Sequence, residues 1–180
     1  MLGETATVLE RRGEWLRVRA DIDSYEGWAH EGYLISTAHA PRWREAARGW
    51  SDGARVSVDG IPVRLPLRAR VVLEGDAVRL PGDRIGKVID GSVRDASVVQ
   101  RDAAQMTPDD WAWAEFGGAP YQWGGVTPLG VDCSGMIQTT FAARGVSLPR
   151  DGWQQAAVGT LVAWDGLAAG ELCFMKSVQS

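Results

Sequence analysis

The chain has 180 residues, enough for one large or two to three small domains, and 45% hydrophobic content allows a real core. A net charge of −4 argues against nucleic acid, which calls for a basic stripe. No stretch is long and apolar enough to span a bilayer, and Met1-Leu2-Gly3-Glu4-Thr5 shows no signal-peptide pattern. The two cysteines, Cys133 and Cys173, make neither a disulfide framework nor a metal site, and no cofactor is implied. Nine tryptophans are spread along the chain and read mostly as core anchors.

The first third reads as short strands. Thr5–Glu10 and Trp15–Arg19 alternate apolar and polar residues with period two. Asp21-Ile22-Asp23-Ser24 turns the chain, and Gly27–His30 is a third strand. Three short strands with tight turns suggest a small β-barrel over residues 1–50. Residues 36–52 lack periodicity and read as a connector. Strands return at Arg55–Val58, Ala69–Leu73, Ala77–Leu80 and Gly86–Ile89, divided by turns at Asp59-Gly60, Glu74-Gly75-Asp76 and Pro81-Gly82-Asp83. They suggest a second barrel over 51–103.

The pattern changes near residue 104. Thr107-Pro108-Asp109-Asp110 is a helix start, with a cap, a first-turn proline and two acids at the positive dipole end. Gly117-Gly118 stops that helix. A second helix runs from Cys133 to Arg144, with Ile137 and Phe141, and Met136 and Thr140, on its inward face. A third begins after Asp151, with Gln154 placed for a capping box. Thr160–Trp164 and Glu171–Phe174 read as strands, so Cys173 reads as a buried, inert thiol. The whole is α+β: small barrels, then a helix-led domain over 104–180.

Asp132-Cys133-Ser134-Gly135, at a helix mouth behind Pro120-Tyr121-Gln122-Trp123-Gly124-Gly125, suits a nucleophilic cysteine. A free thiol, with a pKa of about 8.5, is only slightly ionised at neutral pH. A helix N-terminus stabilises an anion by about 0.3–1 kcal/mol, and a neighbouring carboxylate works against it. A strong nucleophile therefore needs an imidazolium partner. The two histidines, His30 and His39, both lie in the barrel region, and none follows Cys133. By residue type alone, Tyr121 and Trp123 also fit core aromatics, Asp132 a plain cap and Ser134 an ordinary first-turn residue.

Gly118-Ala-Pro-Tyr-Gln-Trp-Gly-Gly125, Gly130-Val-Asp-Cys-Ser-Gly135, Gly145-Val-Ser-Leu-Pro-Arg150 and Gln154-Gln155 occur in one order that resembles the NlpC family of bacterial cell-wall cysteine peptidases. The resemblance covers about residues 105–174. Gly13-Glu14-Trp15-Leu16-Arg17-Val18 and Tyr25-Glu26-Gly27-Trp28 resemble the bacterial SH3-like modules that often precede such domains. It implies a papain-like fold and cleavage of peptidoglycan stem peptides between D-γ-glutamate and a diamino acid. Cys133 would form the thioester, and backbone N–H groups with the Tyr121 hydroxyl would hold the oxyanion. Asp132 would bind the free amine of an N-terminal L-Ala, Ser134 and Trp123 would line the pocket, and Tyr25 would close it.

The family's base is a histidine on a strand after a Gly-Asp-Leu-type turn. Gly170-Glu171-Leu172-Cys173-Phe174 resembles that turn, and Met175–Ser180 adds no histidine. The chain is therefore expected to be a fragment, or a reading frame interrupted near residue 174, with its first barrel strand clipped. As 180 residues it is expected to be marginally stable and catalytically dead. The competing reading is a non-catalytic module that binds wall peptide; an acyltransferase on the same scaffold needs the same histidine. Location in the cell envelope or in the cytoplasm, where wall peptides are recycled, and the oligomeric state are both left open.

Overall fold

The computed structural model describes residues 1–175. Its contacts divide the chain into two compact units, Met1–Gln100 and Arg101–Ser180. Among the described residues, no helix is long and apolar enough to cross a membrane.

In the first unit, β1 (Ala6–Arg12), β2 (Trp15–Ala20) and β3 (Glu26–His30) pair antiparallel in that order. Helix α1 (Ala40–Ala46) occupies part of the expected connector, with Pro41 in its first turn. Tertiary contacts hold this short helix, which no periodicity announces. Trp43 Nε1 donates to the Gly3 carbonyl at 2.8 Å, and Arg44 pairs with Asp21 at 3.1 Å.

Seven further strands follow: β4 (Gly49–Asp52), β5 (Arg55–Val58), β6 (Ile61–Arg64), β7 (Leu67–Glu74), β8 (Ala77–Leu80), β9 (Arg84–Asp90) and β10 (Val93–Asp95). They form one sheet in the order β10-β4-β7-β8-β9-β5-β6. Asp59 and Gly60, with φ of 53° and 79°, make the tight β5–β6 turn. Positive φ at both central residues matches the right-handed twist of the flanking strands. Pro62 hid β6 from sequence reading, and it is tolerated because β6 is an edge strand. Inward side chains of β5, β7 and β8, with Leu65, form a core of Val56, Val58, Leu65, Ala69, Val71, Val78 and Leu80. Burying each large aliphatic side chain contributes about 1.5–3 kcal/mol. The buried guanidinium of Arg68 pairs with Glu4 at 3.0 Å, tying the N-terminal segment to this sheet. Neither sheet closes on itself among the described residues, so the expected barrels take the form of two open sheets.

Helix α2 (Ala96–Ala103) leads out of the first unit. The second unit holds α3 (Pro108–Phe116), a two-stranded ribbon of β11 (Val126–Thr127) and β12 (Gly130–Val131), α4 (Cys133–Ala142) and α5 (Gly152–Val158). The helix starts follow the capping pattern in the sequence. Thr107 Oγ1 accepts from the Asp110 N–H at 3.2 Å, and Gln154 Oε1 accepts from the Asp151 N–H at 3.3 Å. Trp111 and Phe116 pack edge to face at 6.3 Å.

Four expectations are corrected here. The segments 160–164 and 171–174 are not strands; Trp164–Gly166 is a single 3₁₀ turn. A strand exists only against a hydrogen-bonding neighbour, and none pairs with these segments among the described residues. Cys173 is consequently exposed, not buried. Of the tryptophans, Trp50 and Trp111 are buried, whereas Trp15, Trp28, Trp113, Trp123, Trp153 and Trp164 are exposed. The buried face of α4 is Gly135, Gln138, Thr139 and Thr140. Ile137 and Phe141 instead line an apolar groove of about 650 Å³ with Trp113 and Phe116, along which residues 168–172 run.

Candidate active site

The site is built where a ribbon turns into a helix. Tyr121 bridges Val131. The Gln122 N–H donates to the Val131 carbonyl at 3.0 Å, and the Val131 N–H to the Pro120 carbonyl at 3.1 Å. These bonds lace the Tyr121–Gly125 loop to the residues entering α4. Asp132 then caps the helix, its Oδ1 accepting from the Gly135 N–H at 2.7 Å. Cys133 is the first helical residue and its thiol is exposed. A helix start leaves its first N–H groups without intrahelical partners. Here those belong to Cys133 and Ser134, which makes this the end of the helix that favours an anion.

Gly135 permits the close packing. A methyl group at that position would overlap the Gly125 carbonyl oxygen, so only glycine lets α4 approach the loop. The Thr139 hydroxyl donates to the Val126 carbonyl at 3.4 Å one turn further on.

Asp132 is the hub. It is only 7% exposed, and both carboxylate oxygens are occupied. Oδ2 accepts from the Gly124 N–H at 2.7 Å and Arg150 Nη2 at 2.7 Å. Oδ1 accepts from the Gly135 N–H, from Arg150 Nη1 at 3.0 Å and from the Ser134 hydroxyl at 3.3 Å. Burial works against its ionisation, but the fork of Arg150 and the two backbone N–H groups outweigh it, holding the carboxyl below the ordinary carboxylate range. Arg150 also donates to the Ser134 hydroxyl at 2.8 Å. The acid beside Cys133 is therefore charge-compensated, which removes much of the repulsion between it and a Cys133 thiolate that adjacency alone implies.

Sequence reasoning missed two members of this network. Arg150 and Gln155 stood in the matched motifs, yet by residue type they read as a loop cation and a helix polar residue. Buried Gln155 donates from Nε2 to the carbonyls of Ser134 at 3.0 Å and Pro149 at 2.9 Å, clamping α5 and the Arg150 loop to the first turn of α4. Tyr121, Trp123, Asp132, Cys133 and Ser134 thus share one neighbourhood, with the two aromatics exposed. Tyr25 belongs to the first unit, exposed, its N–H bonded to Asp23 at 3.0 Å. None of these six residues lines the apolar groove. No group of His, Cys, Asp and Glu fit to hold a metal occurs among the described residues.

Known proteins match this architecture. The model of the NlpC/P60 family matches residues 118–180. A gamma-D-glutamyl-L-lysine dipeptidyl-peptidase of Bacillus subtilis (strain 168) is 31% identical over 97% of this chain and 62% of its own length. The probable endopeptidase NlpC of Escherichia coli (strain K12) is 46% identical over 33% of this chain and 40% of its own. The crystal structure of an NlpC/P60 family protein from Bacillus cereus ATCC 10987 superposes with a TM-score of 0.69 at 20% identity, covering 94% of this chain and 62% of that one, and shows a shared fold. The chain spans 62% of the length of the dipeptidyl-peptidase it matches. The Asp132-Cys133 motif, its cap and its following helix all lie inside residues 118–180, the segment of the chain that matches the NlpC/P60 family.

Proposed function

We propose that residues 104–180 hold the nucleophile side of a cysteine peptidase that cuts peptidoglycan stem peptides between D-γ-glutamate and a diamino acid. The observation that carries this is the exposed Cys133 thiol at the start of α4, flanked by an acid that Arg150 neutralises. In the reaction the Cys133 sulfur bonds to the γ-glutamyl carbonyl carbon, and the diamino acid leaves as its amine after taking a proton. Water then cleaves the thioester and restores the thiol. The N–H groups at the start of α4 and the Tyr121 hydroxyl stabilise the oxyanion in both steps. Trp123 and Ser134 line the pocket.

Asp132 takes the amine of an N-terminal L-Ala in this reading. Its oxygens already meet Arg150, so the ammonium joins an existing cation and contributes less than it would at a free carboxylate. The two sheets of the first unit serve as the SH3-like modules, 1–50 and 51–103. The thiol proton needs a base, and no histidine follows Cys133 in these 180 residues. On this reading the 180 residues do not cleave the peptide by themselves.

Incubation with L-Ala-γ-D-Glu-L-Lys, followed by chromatography, tests this. The expected result is binding without cleavage above the Cys133→Ala background. Turnover well above that background overturns the inactivity. Undiminished binding by variants of Cys133, Asp132 and Tyr121 overturns the assignment of the site, in favour of a wall-peptide-binding module.

A further inference from the structure

Arg150 reaches Asp132 and Ser134 from a stretch with no regular structure of its own. Residues 143–151 join α4 to α5. Two buried amide side chains hold consecutive carbonyls near the end of this link. Gln138 Nε2, on α4, donates to the Leu148 carbonyl at 3.0 Å. Gln155 Nε2, on α5, donates to the Pro149 carbonyl at 2.9 Å and to the Ser134 carbonyl at 3.0 Å. Gln138 and Gln155 are 4% and 3% exposed. A backbone carbonyl withdrawn from water needs such a partner, so these amides decide where the link lies.

Gln155 has the more telling geometry. Its one nitrogen carries two protons, and each goes to a different segment. One holds Ser134, in the first turn of α4. The other holds the peptide bond that leads into Arg150. Arg150 Nη1 in turn donates to the Ser134 hydroxyl at 2.8 Å. The bonds close a ring, from Ser134 to Gln155, to Pro149 and Arg150, and back to Ser134. The amide thereby fixes the separation that the Arg150 side chain must span. Its own base is firm, since the Gln155 N–H donates to the Asp151 carbonyl at 2.9 Å at the capped start of α5. An arginine side chain loses much rotamer freedom when held. Fixing its origin favours the fork it makes on Asp132 at 2.7 and 3.0 Å.

That fork bears on the thiol. Asp132 directly precedes Cys133, and a carboxylate without its counter-ion disfavours a second anion beside it. The thiolate, not the thiol, is the reactive form. We propose that Gln155 is a positioning residue for Cys133: by spanning Ser134 and Pro149 it keeps the Arg150 guanidinium on Asp132, and so sustains the reactivity of the neighbouring sulfur. Its effect reaches the sulfur through the guanidinium. The inference rests on reading Cys133 as the nucleophile, and its test uses no peptide substrate.

The test follows alkylation of the full chain by iodoacetamide at neutral pH, with each cysteine read separately by peptide mapping. Cys173 is also exposed and serves as the internal reference. Gln155→Leu keeps the volume and loses both donors. Gln155→Asn keeps an amide that is one methylene short of spanning both carbonyls. Gln155→Leu should lower the ratio of the Cys133 rate to the Cys173 rate by roughly threefold or more, and Gln155→Asn should fall between it and the unaltered chain. Arg150→Gln should lower the ratio at least as far as Gln155→Leu, and adding Gln155→Leu to it should lower the ratio no further. A Gln155→Leu loss of equal size with and without Arg150 would make the role merely structural and overturn the proposal. A ratio unchanged by both Gln155 variants overturns it as well. So does loss of native tryptophan emission in both, which would make Gln155 a folding residue. None of these failures touches stem-peptide binding, and failure of stem-peptide binding leaves the ratios as they are.

Discussion

Replacing Arg150 with Gln removes the cation that holds Asp132 while leaving a side chain of similar reach. The side chains of Arg150 and Asp132 are 13% and 9% exposed, so the pair is mostly withdrawn from solvent. Removing one partner of a buried pair costs about 3–5 kcal/mol. The Gly124 and Gly135 N–H groups remain on the carboxylate, which places Arg150→Gln at the lower end, about 3 kcal/mol. The pH dependence follows from the direction of the Asp132 shift. A carboxyl held below its unfolded value, about 3.9, contributes stability that is full above that value and lost as pH falls through the folded one. Without Arg150 burial is opposed less, the folded value rises, and acid unfolding begins at higher pH. Urea unfolding between pH 3 and pH 7, read by tryptophan emission, measures both effects. A double-mutant cycle with Asp132→Asn should give a coupling of about 2 kcal/mol or more. Additive single variants, or an unmoved acid limb, would refute the ion-pair account.

Other consequences are open to direct measurement. Gly135→Ala forces α4 away from the Gly125 carbonyl and should destabilise by about 1–3 kcal/mol; a neutral result in urea unfolding would contradict the close-packing argument. Leu65→Ala, in the core of the seven-stranded sheet, should cost about 2–5 kcal/mol, and a loss well below that would mean the sheet packs elsewhere. A disulfide reagent should titrate two thiols in the native chain, because Cys133 and Cys173 are both exposed; a count of one would return Cys173 to the interior. Most of the tryptophan emission should be open to acrylamide quenching, since six indoles are exposed, and a mostly shielded signal would restore the reading of tryptophans as core anchors.

Much of the second unit was legible because its signals are local. Thr107-Pro108, Asp132-Cys133 and Asp151 with Gln154 announce helix starts through bonds that span three residues. Strand alternation and the Asp59-Gly60 turn are equally local. What sequence reading missed depends on distant partners. Helix α1 is held by Gly3 and Asp21, and β6 contains a proline that only its edge position excuses. The expected strands at 160–164 and 171–174 had the right composition and, among the described residues, no neighbour to pair with. Arg150 is the sharpest case. Its side chain reaches back 18 residues to Asp132, and no spacing rule for helices or strands carries that distance. By adjacency alone Asp132 opposes a Cys133 thiolate, and Arg150 is the counter-ion that relieves this opposition.

The central claim is that Cys133 is the nucleophile of a site shaped for a γ-glutamyl peptide. A halomethyl ketone built on L-Ala-γ-D-Glu tests it most directly, because alkylation of a positioned thiol does not require the complete hydrolytic cycle. Peptide mapping by mass spectrometry should find the label on Cys133 well ahead of the equally exposed Cys173, and excess L-Ala-γ-D-Glu should suppress it. Equal labelling of the two cysteines, or labelling of Cys133 that the dipeptide does not slow, would contradict the account.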